Sequence, residues 1–225
     1  MTTGQPSRGS SDGHHPDIDA AARQLAFASG LSSITLRRLV SVSGLTPGLI
    51  AQHEPSMAAL VARTFEELAT TEIHQTEVEL AARATAIDGL RTLVDSLLHA
   101  SHDNFNSIWA DAWSIGRRNA PVAKAARDTM VLWNALVHGL VAEGIAKGEF
   151  TDVDPDLVAM QFFALIDSTT AYSLVGYLTD DERTRVVLRT LEITLGLPED
   201  ALSQKSAMPG GHSPHLLAGT DEGSG

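Results

Sequence analysis

Thr35-Leu36-Arg37-Arg38-Leu39-Val40-Ser41-Val42-Ser43-Gly44-Leu45-Thr46-Pro47-Gly48-Leu49-Ile50 carries the signals of two short amphipathic helices set about a sharp turn. Thr35 stands just before the apolar positions Leu36, Leu39 and Val40, where its hydroxyl can accept a free backbone N–H and start the first helix. Gly44 stops that helix, since glycine takes positive φ without steric penalty and Leu45 can then fold back onto the apolar face. Thr46 caps the second helix, and Pro47 occupies its first position, where a missing N–H is no loss. Leu36, Leu39, Leu45, Leu49 and Ile50 supply an apolar seam between the two.

Composition is compatible with a globular body around this motif. The chain has 225 residues, 43% of them apolar, and can bury a substantial core. With no cysteine there is no disulfide framework, thiolate metal site or cysteine nucleophile, as suits a reducing compartment. No apolar run reaches the length of a membrane-spanning helix and the N-terminus lacks a signal-peptide core, so a cytoplasmic protein without membrane contact is expected. The net charge of -12 opposes nucleic-acid binding at first sight. From Asp17 to Leu60, however, the acids Asp17, Asp19 and Glu54 balance Arg23, Arg37 and Arg38, and the excess acid lies in the later body.

Outward from the motif, residues 1–16 are rich in Gly, Ser and His and read as a disordered arm, in which the adjacent His14 and His15 make no metal site. Pro55 and Ser56 open a long helix to about Ala86, with Val61, Phe65, Leu68, Ile73 and Leu80 inward and Glu66, Glu67, Glu72, Glu77 and Glu79 on a solvated face. Asp88 is expected to cap the next helix, whose buried stripe is Leu90, Leu93, Val94, Leu97 and Leu98. Phe105, Trp109 and Trp113 recur one turn apart and share a face. Core packing explains them, and so does the wall of an apolar cavity in which indole N–H groups act as polar handles. A long helix from Pro121 to about Lys147 turns Ala125, Met130, Trp133, Val137, Leu140 and Val141 inward. His138 has no second ligand at i+4 and reads as a polar contact. Asp152, Asp154 and Asp156 lack the glycine and terminal glutamate of a calcium loop, and an Asp cap before Pro155 accounts for them. The helix from Pro155 to about Tyr177 is apolar on too many sides for a surface helix, and a last one runs from Asp181 to Leu195. Residues 203–225 read as a disordered tail. No G-x-S-x-G, Walker loop, dinucleotide fingerprint or H-E-x-x-H is present, so no enzyme, cofactor or metal is expected. Asp167, alone among apolar residues, suits a raised pKa and a contact to a polar ligand group or a neighbouring helix.

The central motif resembles the helix-turn-helix of the tetracycline-repressor (TetR) family of transcription regulators. The resemblance continues upstream through Ile18 to Leu31, with its small-residue run, aromatic Phe27 (expected to be buried) and closing glycine, and downstream through His53 to Leu60. It covers about the first quarter of the chain. Where family members usually carry tyrosine, phenylalanine and lysine, this chain has Ala51, Glu54 and Met57, which weakens the expected grip on phosphates. The resemblance implies an all-α fold: a DNA-binding domain over residues 17–60, and a helical body over 61–202 that binds a small effector and forms a homodimer through its last two helices. It further implies that Thr46, Pro47, Gly48, Ala51 and Gln52 face the major groove of a palindromic operator, while Thr35, Arg37 and His53 hold phosphates. The effector would lie among Phe105, Trp109, Trp113, Trp133, Phe162, Phe163, Asp167 and Tyr172. A helical ligand-binding or interaction dimer without DNA function is the alternative.

Overall fold

The computed structural model describes residues 15–98 and 102–203. The expected arm before residue 15, with His14, and the expected tail beyond 203 lie outside the described residues. Among these there are helices and no strand. In chain order they are α1 (Pro16–Ser29), a single 3-10 turn (Leu31–Ser33), α2 (Leu36–Ser43), α3 (Pro47–His53), α4 (Met57–Ala81), α5 (Ala86–Leu98), α6 (Asp103–Gly116), α7 (Ala120–Ala146), α8 (Pro155–Leu174) and α9 (Asp180–Leu195).

The head follows the local signals closely. Thr35 accepts the Arg38 N–H at 3.4 Å, and Thr46 accepts that of Leu49 at 3.3 Å. Gly44 adopts φ 69° and returns its N–H to the carbonyl of Val40. Leu39 and Ile50 are fully buried and Leu45 packs beside them, but Leu36 lies on the exposed side of α2 and is not part of the seam. Glu54, where the family pattern has phenylalanine, is buried, and its carboxylate pairs with Arg63 of α4. Arg63 also reaches Asp19 at 2.8 Å, so two of the head's three acids are tied to a cation outside it.

The body is a helical bundle built on α7, which packs most extensively against α4, and then against α8 and α6; α9 lies on α8 and α5. One core runs without a break from Ile18, Leu39 and Ile50 of the head through Phe65 of α4 to Ile108, Ala112 and Val122. A second joins Leu90, Leu93, Val137, Phe162, Val187 and Leu191. Head and body therefore share buried side chains.

Several expected boundaries move. The long helix ends at Ala81 rather than near Ala86, because Thr85 starts a new one: its hydroxyl accepts the Asp88 N–H at 3.0 Å and donates to the Asp88 carboxylate at 2.8 Å. Thr85 is thus the cap, with Asp88 closing the turn from inside it. The helix expected to reach Tyr177 ends at Leu174, where Gly176 turns the chain at φ 71°. α9 begins one residue early, at Asp180, behind a capping box of Thr179 and Glu182. Asp154 caps α8 as expected, accepting from the N–H groups of Asp156 and Leu157. Two further expectations are corrected. Glu72 is not on the solvated face of α4 but buried, and Phe27 is 38% exposed rather than buried. Against the expectation that no apolar run reaches spanning length, α7 and α8 are each long and apolar enough to cross a membrane by length and composition, with 28% and 33% of the apolar window buried inside the bundle.

Candidate functional site

α3 presents the first candidate surface. Ile50 anchors the helix to the core, which leaves Pro47, Gly48, Ala51 and Gln52 together on its outer side, with Thr46 exposed at its start. A Cβ added at Gly48 would meet nothing within 4 Å, so a partner's backbone can approach closely there. Thr35 and Arg37 are exposed at the start of α2. Arg38 donates to Ser29 Oγ at 3.0 Å, and Arg23 is held by Glu67 at 2.8 Å. His53 is half-buried, its ring edge-on to His15 at 5.2 Å.

The second candidate is a partly open cavity of about 40 Å³ between α4, α5, α6, α7 and α8. Trp109, Trp113, Trp133 and Phe163 line it, and Asp167 joins them from α8. Of the other residues expected there, Phe162 is buried behind the wall with its ring edge-on to Phe163, and Phe105 stacks on His102 at 5.2 Å. Tyr172 is elsewhere, 48% exposed and resting on Tyr177. The polar part of the lining was largely missed by sequence reasoning. Buried Glu72 accepts from Trp109 Nε1 at 3.2 Å and pairs with His102 Nε2 at 2.6 Å, while Asn106, Asn134 and Thr170 complete the wall. A signal for Glu72 did exist: with Val61, Phe65, Leu68 and Thr76 it follows the helical stripe of buried positions.

Electrostatically the two carboxylates differ. Glu72 has partners. Asp167 has none among the described residues, and desolvation by burial pushes its carboxyl up to about 7. Asn106 Nδ2, Asn134 Oδ1 and Thr170 Oγ1 are likewise buried without a hydrogen-bond partner. Among the described residues, no group of three His, Asp or Glu is placed to hold a metal ion.

α6 connects the cavity to the head. It carries Trp109 and Trp113 on one side and Asp111 on another, and Asp111 Oδ2 accepts the Ser32 N–H at 3.0 Å. Gly30 sits so close that a Cβ there would lie 2.4 Å from the same oxygen. Phe27 of α1 meets Phe105 of α6 edge-on at 5.3 Å.

Among the described residues, then, a helix-turn-helix head shares its core with a helical body that carries a mixed aromatic and acidic cavity. Residues 86–191 match the family model of the tetracycline-repressor-like C-terminal domain. The fold is shared with a protein from Rhodococcus sp. assigned to the TetR-family transcriptional regulators, at 15% identity and TM-score 0.67 over 80% of this chain and 96% of that one. It is shared too with a protein from Saccharomonospora viridis, assigned as a transcriptional regulator and solved with choline: 22% identity, TM-score 0.71, 78% of this chain and 94% of that one. The transcriptional regulator FadR of Bacillus subtilis, solved with stearoyl-CoA, aligns at 17% identity and TM-score 0.62 over 80% of this chain and 96% of that one. No curated protein matches in sequence. The likeness to the TetR family thus rests on the C-terminal domain matched over residues 86–191 and on the shared fold.

Proposed function

We propose that the protein is a transcriptional regulator, a repressor, that binds a palindromic operator as a homodimer and changes its hold on DNA when a small molecule enters the body. The observation that carries this reading is the exposed outer side of α3 on a head that shares one core with the cavity-bearing body. On this reading residues 17–60 read DNA in the cytoplasm, and residues 61–202 bind the effector and the second subunit. Gln52 hydrogen-bonds a base edge, preferentially adenine, beside Thr46, Pro47, Gly48 and Ala51. Thr35, Arg37 and His53 hold phosphates with the helix N-termini.

The dimer surface is supported by the outer sides of the last two helices. Leu157, Met160, Ala164 and Ala171 form one exposed stripe on α8, and Val186 and Ile193 are exposed on α9. A two-fold pairing of these faces buries them and sets two copies of α3 side by side. The relatives solved with choline and with stearoyl-CoA support a small organic ligand in the body. A second reading, a ligand-binding dimer without DNA function, is favoured by one observation: few cations in or beside the head are left for phosphates, since Arg23 is engaged by Glu67 and the neighbouring Arg63 of α4 is committed to Asp19 and Glu54.

Selection from a random DNA library separates the two. A palindromic site should emerge, with Gln52→Ala relaxing its sequence preference and Arg37→Ala weakening binding to all sequences alike. If no palindrome is enriched even at low salt, the regulator reading gives way to the second.

A further inference from the structure

We infer that the cavity takes an organic cation, an ammonium head group held among Trp109, Trp113, Trp133 and Phe163 with its charge facing the carboxylate of Asp167. This rests on the ligand-binding role proposed for the body, and it specifies the chemistry of that ligand.

The wall itself makes the case. Among the described residues it contains two acids and no lysine or arginine. Glu72 is already answered by His102 and by the Trp109 indole, so among the described residues the charge left without a partner is that of Asp167. A carboxylate brought among apolar side chains without a counter-charge is unfavourable, and a ligand cation removes that penalty. The rings add to it, because the π-faces of tryptophan and phenylalanine attract cations and quaternary ammonium groups in particular. Asn134 Oδ1, Thr170 Oγ1 and Asn106 Nδ2, all buried and unmet, provide for a hydroxyl or carbonyl next to the charged group. The space of about 40 Å³ suits a compact head group: on this scale one water needs roughly 10–15 Å³.

A pH dependence follows. Among the described residues, the titratable groups that face the cavity are Asp167 from α8, Glu72 from α4 and His102 at the start of α6, and the lining residues of α5 and α7 include none. With the Asp167 carboxyl titrating at about 7, its ionised fraction rises about tenfold between pH 6 and pH 8, and affinity for a permanent cation should rise with it.

The test uses the full chain and its own tryptophan emission, titrated with tetramethylammonium chloride, with sodium chloride at equal ionic strength, and with tert-butanol as an uncharged body of similar shape. A saturable change should appear with tetramethylammonium alone, strengthen about tenfold from pH 6 to 8, and weaken at least as much in Asp167→Asn, whose fold is checked by circular dichroism. Should that variant not fold, the pH series on the unmodified chain decides. Equal response to tert-butanol, no saturation at millimolar tetramethylammonium, or an affinity indifferent to pH would overturn the inference. The underlying reading fails separately: a neutral compound that binds the cavity and alters operator affinity refutes only the cation, whereas tetramethylammonium binding without any operator refutes only the regulator.

Discussion

At the scale of single residues, Asp167 has the most informative environment. Its carboxyl titrates at about 7 instead of 3.8 because burial disfavours the charge. A raised folded-state pKa means that the folded chain binds this proton more tightly than the unfolded one. The stabilising contribution is then complete below the unfolded value and is lost as pH rises through about 7. Asp167→Asn, which cannot ionise, should therefore melt higher than the unmodified protein at pH 8 and close to it at pH 4. Calorimetry at the two values checks this, and an offset of the same size at both would contradict it. That Asp167 stood alone among apolar residues was legible in the sequence. The burial of Glu72 was not taken from it, because a glutamate amid four others on one helix reads as solvated until His102 and Trp109 are seen to meet it. Nor could spacing tell that Tyr172, one turn from Ser168 on the same helix, leaves the wall for the surface.

At the scale of elements, caps were legible and lengths were less so. Thr35, Gly44, Thr46 and Asp154 act through the nearest few residues, and their chemistry is complete in the local sequence. The end of α4 depended on Thr85 competing successfully with helix continuation, which sequence periodicity alone does not reveal. Packing between elements was legible only in part, in the seam of Leu39, Leu45 and Ile50 and in the rings around the cavity, and the joint of α6 with the head was not legible. Gly30 holds φ 77° and ψ 169°, a conformation essentially confined to glycine, with Asp111 against its open side. Gly30→Ala should cost about 1–3 kcal/mol in denaturant unfolding from the backbone alone, and more from the clash; a change within error would show the joint to be loose. Asp111→Ala leaves the backbone unstrained but frees the Ser32 N–H. It should keep DNA binding and reduce the effect of a cavity ligand on it, as measured by operator affinity with and without that ligand. An undiminished effect would place the coupling elsewhere.

At the scale of the whole molecule, the account requires a dimer, and light scattering should report twice the chain mass, with a stable monomer at micromolar concentration as the contrary result. It also requires that binding depend little on salt. Each phosphate neutralised contributes a slope of about -0.9 in log K against log salt, and about two to four cationic contacts per dimer are on offer, chiefly from Arg37 and Arg38. A slope near that of strongly basic DNA-binding proteins would mean that cations outside the helix-turn-helix take part. The central claim, that the reading head and the cavity form one responsive unit, can be tested without knowing the ligand. All three tryptophans, Trp109, Trp113 and Trp133, line the cavity and none lies in the head. Titrating the selected palindromic DNA into the protein should change tryptophan emission saturably, with the midpoint found by anisotropy of labelled DNA and no response to scrambled sequence. DNA that binds with full affinity while the emission stays unchanged would contradict the account.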